Sequence, residues 1–214
     1  MDARGAVVTP VGVAAGPKAL REDLQILADL VPDGSRVLDL GCHDGDLLSH
    51  LIARRNCTGT GVEIDPSAVL SVIRRGIPLV ELDIDFQLDE FDDDSYDVVV
   101  LSRTIQVIRR PQEVLEQIAR IGSRIIVSVP NFAWWGHRLR LLRGRMPMSK
   151  ELPYKWYNTP NLRFVSLADI ELFFAGLGLK IERRIPMGID GEALRHPFGA
   201  NLFAGAATYV LGKR

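Results

Sequence analysis

From Leu20 to Pro130, apolar runs too short to be helices alternate with stretches of helical periodicity, and this alternation limits the fold more than any other feature. Leu20, Leu24, Leu27 and Leu30 recur at helical spacing, "PDGS" supplies a turn, and Val37 to Leu40 reads as a buried strand. The alternation continues through a helix over 46–54, the strand "TGTGVEI", a helix over 67–75 and the strand "PLVELDI". "YDVVVLS" is a fully buried fourth strand. It leads into a helix with Pro111 in its first turn, apolar Val114, Leu115 and Ile118, and Gly122 at its end, before the fifth strand "RIIVSVP". Buried strands joined by helices specify an α/β fold, a mostly parallel sheet with helices on both faces. Ser166 opens a capping box with Asp169, and Ile170, Phe173, Phe174 and Leu177 give one more helix ending near Gly178. "KIERRIPM" and "ATYVLGKR" finish the chain as an antiparallel edge pair.

A chain of 214 residues with 47% hydrophobic and 25% charged residues suits one globular domain, neither disordered nor membrane-spanning. We place that domain at 19–214 and read 1–18 as a flexible tail. The tail lacks a positive cluster, and Pro10, Gly12 and Gly16 break its apolar part, which argues against a secretory signal. A net charge of −1 excludes bulk nucleic-acid binding. Cys42 and Cys57 are too few for a disulfide framework or a four-thiolate zinc site; no metal is expected, and a reducing cytoplasm fits. The acidic run "DEFDDD" is expected to be a solvated loop.

In a parallel sheet, ligands bind beyond the carboxyl ends of the strands, where the first strand hands over to a helix. Here that handover is "VLDLGCHDGDLL", with Gly41 and Gly45 in the loop. Gly41 can adopt a backbone closed to other residues, and the next helix offers unpaired N–H groups. Those properties also suit a dinucleotide. The dinucleotide fingerprint, however, needs glycines where His43 and Asp46 stand, and that reading loses most of its support. Asp39, at the strand's end, would welcome a cationic amine and repel a pyrophosphate. Glu63 ends the second strand, where a carboxylate can accept both hydroxyls of a ribose. Asp83 ends the third beside Ile84, which suits an adenine amino group and its apolar face. Singly, each acid is equally well a loop cap or a solvated carboxylate; together at three consecutive strand ends they describe an adenosylmethionine site.

"VLDLGCHDGDLL", "GVEID" and "SYDVVVLS" resemble the motifs of class I adenosylmethionine-dependent methyltransferases. More closely, "LSRTIQVIRRPQEVLEQIARIGSRIIVSVPNF" and "RGRMPMSKELPYKWYNTPNLRF" resemble the MetW family of methionine-biosynthesis proteins, over about Leu20 to Arg184. The resemblance implies a seven-stranded Rossmann-like methyltransferase sheet, a site for S-adenosyl-L-methionine or S-adenosylhomocysteine at Asp39, Gly41, Gly45, Glu63 and Asp83, and homoserine O-acyltransferase as a bound and supported partner. Cys42, His43, Ile64, Ile84 and Ser102 complete the expected cofactor-binding set. Two positions depart from the pattern. His43 replaces a middle glycine common in methyltransferases, and Arg103 replaces an expected glutamine after the fourth strand.

Methyl transfer needs an in-line acceptor more than a dedicated base. Candidate bases are His137, His43 and Asp65, with a surface histidine as the alternative reading of His137. Asn131 in "VPNF" either faces an acceptor or holds the turn. The segment 132–162 lacks a clean register and interleaves aromatic, Met and Arg residues, a composition enriched in buried interfaces. Trp135, Leu139, Leu142 and Met146 are expected to share one helical face, with Arg138 and Arg145 beside it. The segment is read as a partner-binding surface or as a lid on the protein's own core. Membrane-surface attachment is weaker, because the basic stretch is short and the chain is not cationic.

Overall fold

The computed structural model describes residues 20–195 and 198–213, so the expected tail over 1–18 lies outside the described residues. In chain order the elements are α1 (Glu22–Leu30), β1 (Arg36–Leu40), α2 (Asp46–Arg54), β2 (Thr58–Glu63), α3 (Pro66–Arg74), β3 (Leu79–Glu81), β4 (Tyr96–Ser102), α4 (Pro111–Ile121), β5 (Gly122–Pro130), α5 (Trp135–Leu142), α6 (Leu167–Gly176), β6 (Leu179–Met187), α7 (Ala200–Phe203) and β7 (Ala206–Lys213). The seven strands form one sheet in the order β3-β2-β1-β4-β5-β7-β6. β1 to β5 run parallel, and β7 runs antiparallel to both β5 and β6. The expected antiparallel pair is present, but β7 is inserted between β5 and β6, so β6 alone stands at the edge.

Pleating divides the core in two, because successive strand residues point to opposite faces. Leu38, Leu40, Val99 and Leu101 pack with α4 and α6 through Leu115, Ile118, Ile170 and Phe174. Val37, Val98 and Val100 pack with α1 and α2 through Leu24, Leu27, Leu48 and Leu51. Asp39 shares the strand parity of Val37 and therefore falls on the α1 and α2 side. β1 pairs with β2 on one side and β4 on the other, so the connections diverge there and leave a crevice past the strands' carboxyl ends.

β3 is shorter than its sequence suggests. The chain leaves the sheet after Glu81 because Phe86 and Gln87 both donate their N–H to the Asp83 carbonyl, and Gln87 Oε1 accepts the Asp83 N–H at 2.8 Å. Asp83 therefore sits in a turn two residues past the strand. The acidic run is solvated at Asp92 to Asp94, where Asp93 pairs with Arg120 and Asp94 with Lys213. Ser166 caps α6 by accepting the Asp169 N–H, but the reciprocal contact is the Ser166 hydroxyl donating to the Asp169 carboxylate, not a carboxylate reaching back to the backbone. Among the described residues, no helix is long and apolar enough to cross a membrane.

Candidate functional site

A cleft of about 540 Å³ opens at the carboxyl ends of β1, β2 and β4. It collects Asp39, Gly41, Cys42, His43, Glu63, Ile64, Asp83, Ile84 and Ser102, nine of the ten residues expected to bind the cofactor. Gly45 stands apart from the lining: it is the N-cap of α2, in the left-handed region (φ 72°) that favours glycine.

The loop after β1 is shaped by backbone constraint. Gly41 has φ +73°, and a Cβ there would lie 2.8 Å from Thr104 Oγ1. Thr104 lies close because its hydroxyl bonds the Leu40 carbonyl at 3.2 Å and the Ser102 carbonyl at 3.0 Å, tying the β1 and β4 ends together. His43 takes the left-handed conformation usually left to glycine (φ 48°), and its N–H donates to Glu63 Oε2 at 2.8 Å. Its ring is 80% exposed and pairs with Asp44 at 3.3 Å, so it lines the cleft mouth without filling it.

The acids differ in what they lack. Asp39 is 2% exposed, and its Oδ1 is buried without a hydrogen-bond partner. Burial first, and the like charge of Glu63 second, push its pKa up to about 7. The same burial, reinforced by Asp39 and Glu63, pushes the Cys42 thiol up to about 12, so Cys42 is a neutral packing group against Gly61. Glu63 accepts from His43 through Oε2 and from the Ile64 and Asp65 N–H groups, at 2.8 and 3.0 Å, through Oε1. That preorganises the carboxylate and leaves acceptor capacity on Oε2. Asp83 accepts the Asp85 N–H, and Asp85 in turn receives the Arg109 and Arg110 N–H groups, which fixes this wall to the start of α4.

Among the lining residues that the sequence reading did not assign to the site are Arg103, Gln106 and Glu151. Arg103 has φ 53°, and its Nη2 lies 3.1 Å from Asp23 Oδ2 on α1 and 2.7 Å from Glu151 Oε2. Glu151 is 6% exposed and belongs to the segment 132–162, read from the sequence as a partner-binding surface or a lid. Arg103 was visible as a departure from the family pattern; Glu151 had no local signal, because its burial depends on a residue 48 positions earlier.

The structure does not bring the candidate bases together. His137 is fully buried at the start of α5, its Nδ1 3.2 Å from the Phe132 carbonyl oxygen, and burial holds its pKa below the ordinary value. The surface reading is thereby overturned, and the ring is also absent from the cleft lining. Asp65 is consumed as the N-cap of α3, accepting from Ser67 and Ala68. Asn131 is buried and holds the turn after β5 by donating to the Asn201 and Ala204 carbonyls. Of the expected apolar face, Trp135, Leu139 and Leu142 lie on α5, the first and last exposed and Leu139 half-buried, but the helix ends at Leu142 and a turn at Gly144 (φ 69°) carries Met146 out of register.

A seven-stranded sheet with an inserted antiparallel last strand, and a ligand-sized cleft beyond β1, define the class I methyltransferase fold. A solved adenosylmethionine-dependent methyltransferase from Archaeoglobus fulgidus superposes with a TM-score of 0.66 over 89% of this chain and 91% of that one, at 16% identity. Within that class the sequence matches the family described as methionine biosynthesis protein MetW over residues 21–211, and the chain belongs to that family. The bifunctional methionine biosynthesis protein MetXA/MetW of Rhodopirellula baltica is 33% identical over 88% of this chain. This chain spans only 32% of that relative's length. A carboxy-S-adenosyl-L-methionine synthase from Campylobacter jejuni is 36% identical over 46% of each chain.

Proposed function

We propose that the cleft binds S-adenosyl-L-methionine or S-adenosylhomocysteine, and that the protein serves methionine biosynthesis in the cytoplasm by binding and supporting homoserine O-acyltransferase. The observation that carries the cofactor reading is the buried Asp39 Oδ1 without a partner. An orphaned buried carboxylate oxygen is costly, and a cationic amine removes that cost by pairing with it. Glu63 would hold the ribose hydroxyls, Asp83 and Ile84 the adenine, and Gly41, Cys42, His43, Ile64 and Ser102 the walls around them. When bound, the cofactor supplies an electrophilic methyl group on a sulfonium; the chain's own part is to bind and orient it.

The partner reading is supported by the relative that joins MetXA and MetW in one polypeptide, and by the exposed aromatic segment from Trp135 to Trp156. The intact set of Asp39, Glu63 and Asp83 favours a second reading, methyl transfer to a small-molecule acceptor. Calorimetric titration with adenosylmethionine tests the shared premise. Wild type is expected to bind, and Asp39→Ala and Glu63→Ala to weaken binding at least about tenfold, the scale of a lost charge-assisted hydrogen bond. Unchanged affinity in both variants would refute the site assignment.

A further inference from the structure

Ten of the nineteen large apolar side chains exposed among the described residues lie in 135–164, so the apolar surface is concentrated on one segment. On α5 the face of Trp135, Leu139 and Leu142 is flanked, at 3.6 residues per turn, by Arg138 on one side and Arg143 on the other. Arg140 Nε donates to the Met146 carbonyl at 3.1 Å and the Arg145 N–H to the Arg140 carbonyl at 2.9 Å, which folds the turn after α5 back against the helix. Met146 then meets Tyr154, Trp156 and Phe164 around a notch of about 20 Å³. Phe164 packs on Phe132 with ring centroids 5.0 Å apart, and the Phe132 carbonyl oxygen lies 3.2 Å from His137 Nδ1 on α5. Helix, turn and notch are thus one packed unit.

The charge of this unit is uncompensated. Between 138 and 155 stand six cations, Arg138, Arg140, Arg143, Arg145, Lys150 and Lys155, and one acid, Glu151, which is buried and already paired with Arg103. Among the described residues none of the six pairs with an acid. Acids are not scarce, since the chain holds 27 of them to 26 lysines and arginines, and Arg36, Arg75, Arg110 and Arg120 each find one. Arg138 and Lys150 bond the main-chain carbonyls of Ala133 and Asp190, which fixes the side chain and leaves its charge unmatched. The carboxyl end of α5 favours a cation at Arg140 and Arg143, but Lys150 and Lys155 belong to no helix. Like charges crowded round an apolar centre repel one another, and a partner that brings carboxylates to the rim relieves the repulsion while covering the centre.

We propose that α5, the turn after it and the notch beside Trp156 dock an acidic protein face, an apolar centre ringed by carboxylates, which the six cations steer into place. The notch suits the tip of a side chain carried on a rigid partner, the way interface anchors seat. An interfacial membrane helix, by contrast, gathers its polar groups on the side opposite its apolar face, and exposed Leu141 interrupts that side of α5. The inference rests on the reading of homoserine O-acyltransferase as the partner and adds what that partner must present.

Association and dissociation rates with purified homoserine O-acyltransferase, measured by surface plasmon resonance on the full chain, test this face. The association rate is expected to fall at least about fivefold between about 50 and 500 mM sodium chloride, because salt screens the steering charges. Arg143→Glu combined with Arg145→Glu is expected to associate at least about tenfold more slowly at low salt and to lose most of the salt dependence, while Trp156→Ala is expected to dissociate at least about tenfold faster. All three side chains are exposed, so both variants are expected to melt with wild type. Association that ignores salt, or a double variant that associates at the wild-type rate, would overturn the acidic face while leaving the acyltransferase as partner. No complex at any salt would refute the partner reading and the face together. If the chain then co-sediments with phosphatidylserine vesicles but not with phosphatidylcholine vesicles, and the double variant does not, the segment belongs to anionic lipid instead.

Discussion

Burying Asp39 near the end of β1 sets the proposed ligand contact against folding stability. Its pKa is raised from the ordinary 3.8 to about 7, so the folded state holds the proton more tightly than the unfolded state. The resulting stabilisation is complete below about pH 4 and is lost as the pH rises through about 7. Asp39→Asn should therefore raise the melting free energy of the ligand-free protein by up to about 4 kcal/mol at pH 8, with the gain vanishing toward pH 4. Thermal melts across that range check the sign, and a gain that fails to grow with pH would show that burial does not govern this residue. A cationic ligand prefers the ionised carboxylate, so affinity for adenosylmethionine should rise as the pH passes through about 7. Asp39, one residue before the end of β1, and Glu63, the last residue of β2, were legible because each acid closes an otherwise apolar run at the strand's carboxyl end. Glu151 was not, since nothing in its neighbourhood marks a buried acid.

At the scale of elements, α5 is the unusual helix. Its buried member is His137, while Trp135 is 48% and Leu142 84% exposed and Leu139 between them is half-buried, so the face that its periodicity marks as apolar is turned outward at both ends. A lid packed on the protein's own core would bury that face, and a docking surface would leave it exposed. Replacing Trp135 and Arg138 together by Ala should weaken binding of homoserine O-acyltransferase by about 30-fold or more, the scale of interface hot spots, without altering the melting temperature appreciably. Pull-down of the acyltransferase at wild-type levels would place the partner elsewhere. Helix periodicity placed the start of α5 but carried its face on to Met146, because a turn through Gly144 leaves no trace in the spacing of apolar residues.

For the whole molecule, the cleft is roofed by the start of α1 and by the segment around Glu151, which also leads back to α5. Ligand in the cleft and partner on α5 thus bear on one connected segment. If both bind, linkage requires each to change the other's affinity by the same factor, commonly about 5–150-fold for coupled sites. Titrating adenosylmethionine with and without saturating acyltransferase measures that factor directly, and equal affinities would remove the regulatory role. The amino-acid sequence by itself determined the parallel core, the alternation of helices and strands through β5, and the acids at the carboxyl ends of β1 and β2, because these follow from local periodicity and strand direction. Only the tertiary structure decided the insertion of β7 between β5 and β6, the truncation of β3, the burial of His137 and the convergence of Asp23, Arg103, Gln106 and Glu151. Those depend on contacts between residues far apart in the chain, for which no local pattern of polarity carries a signal.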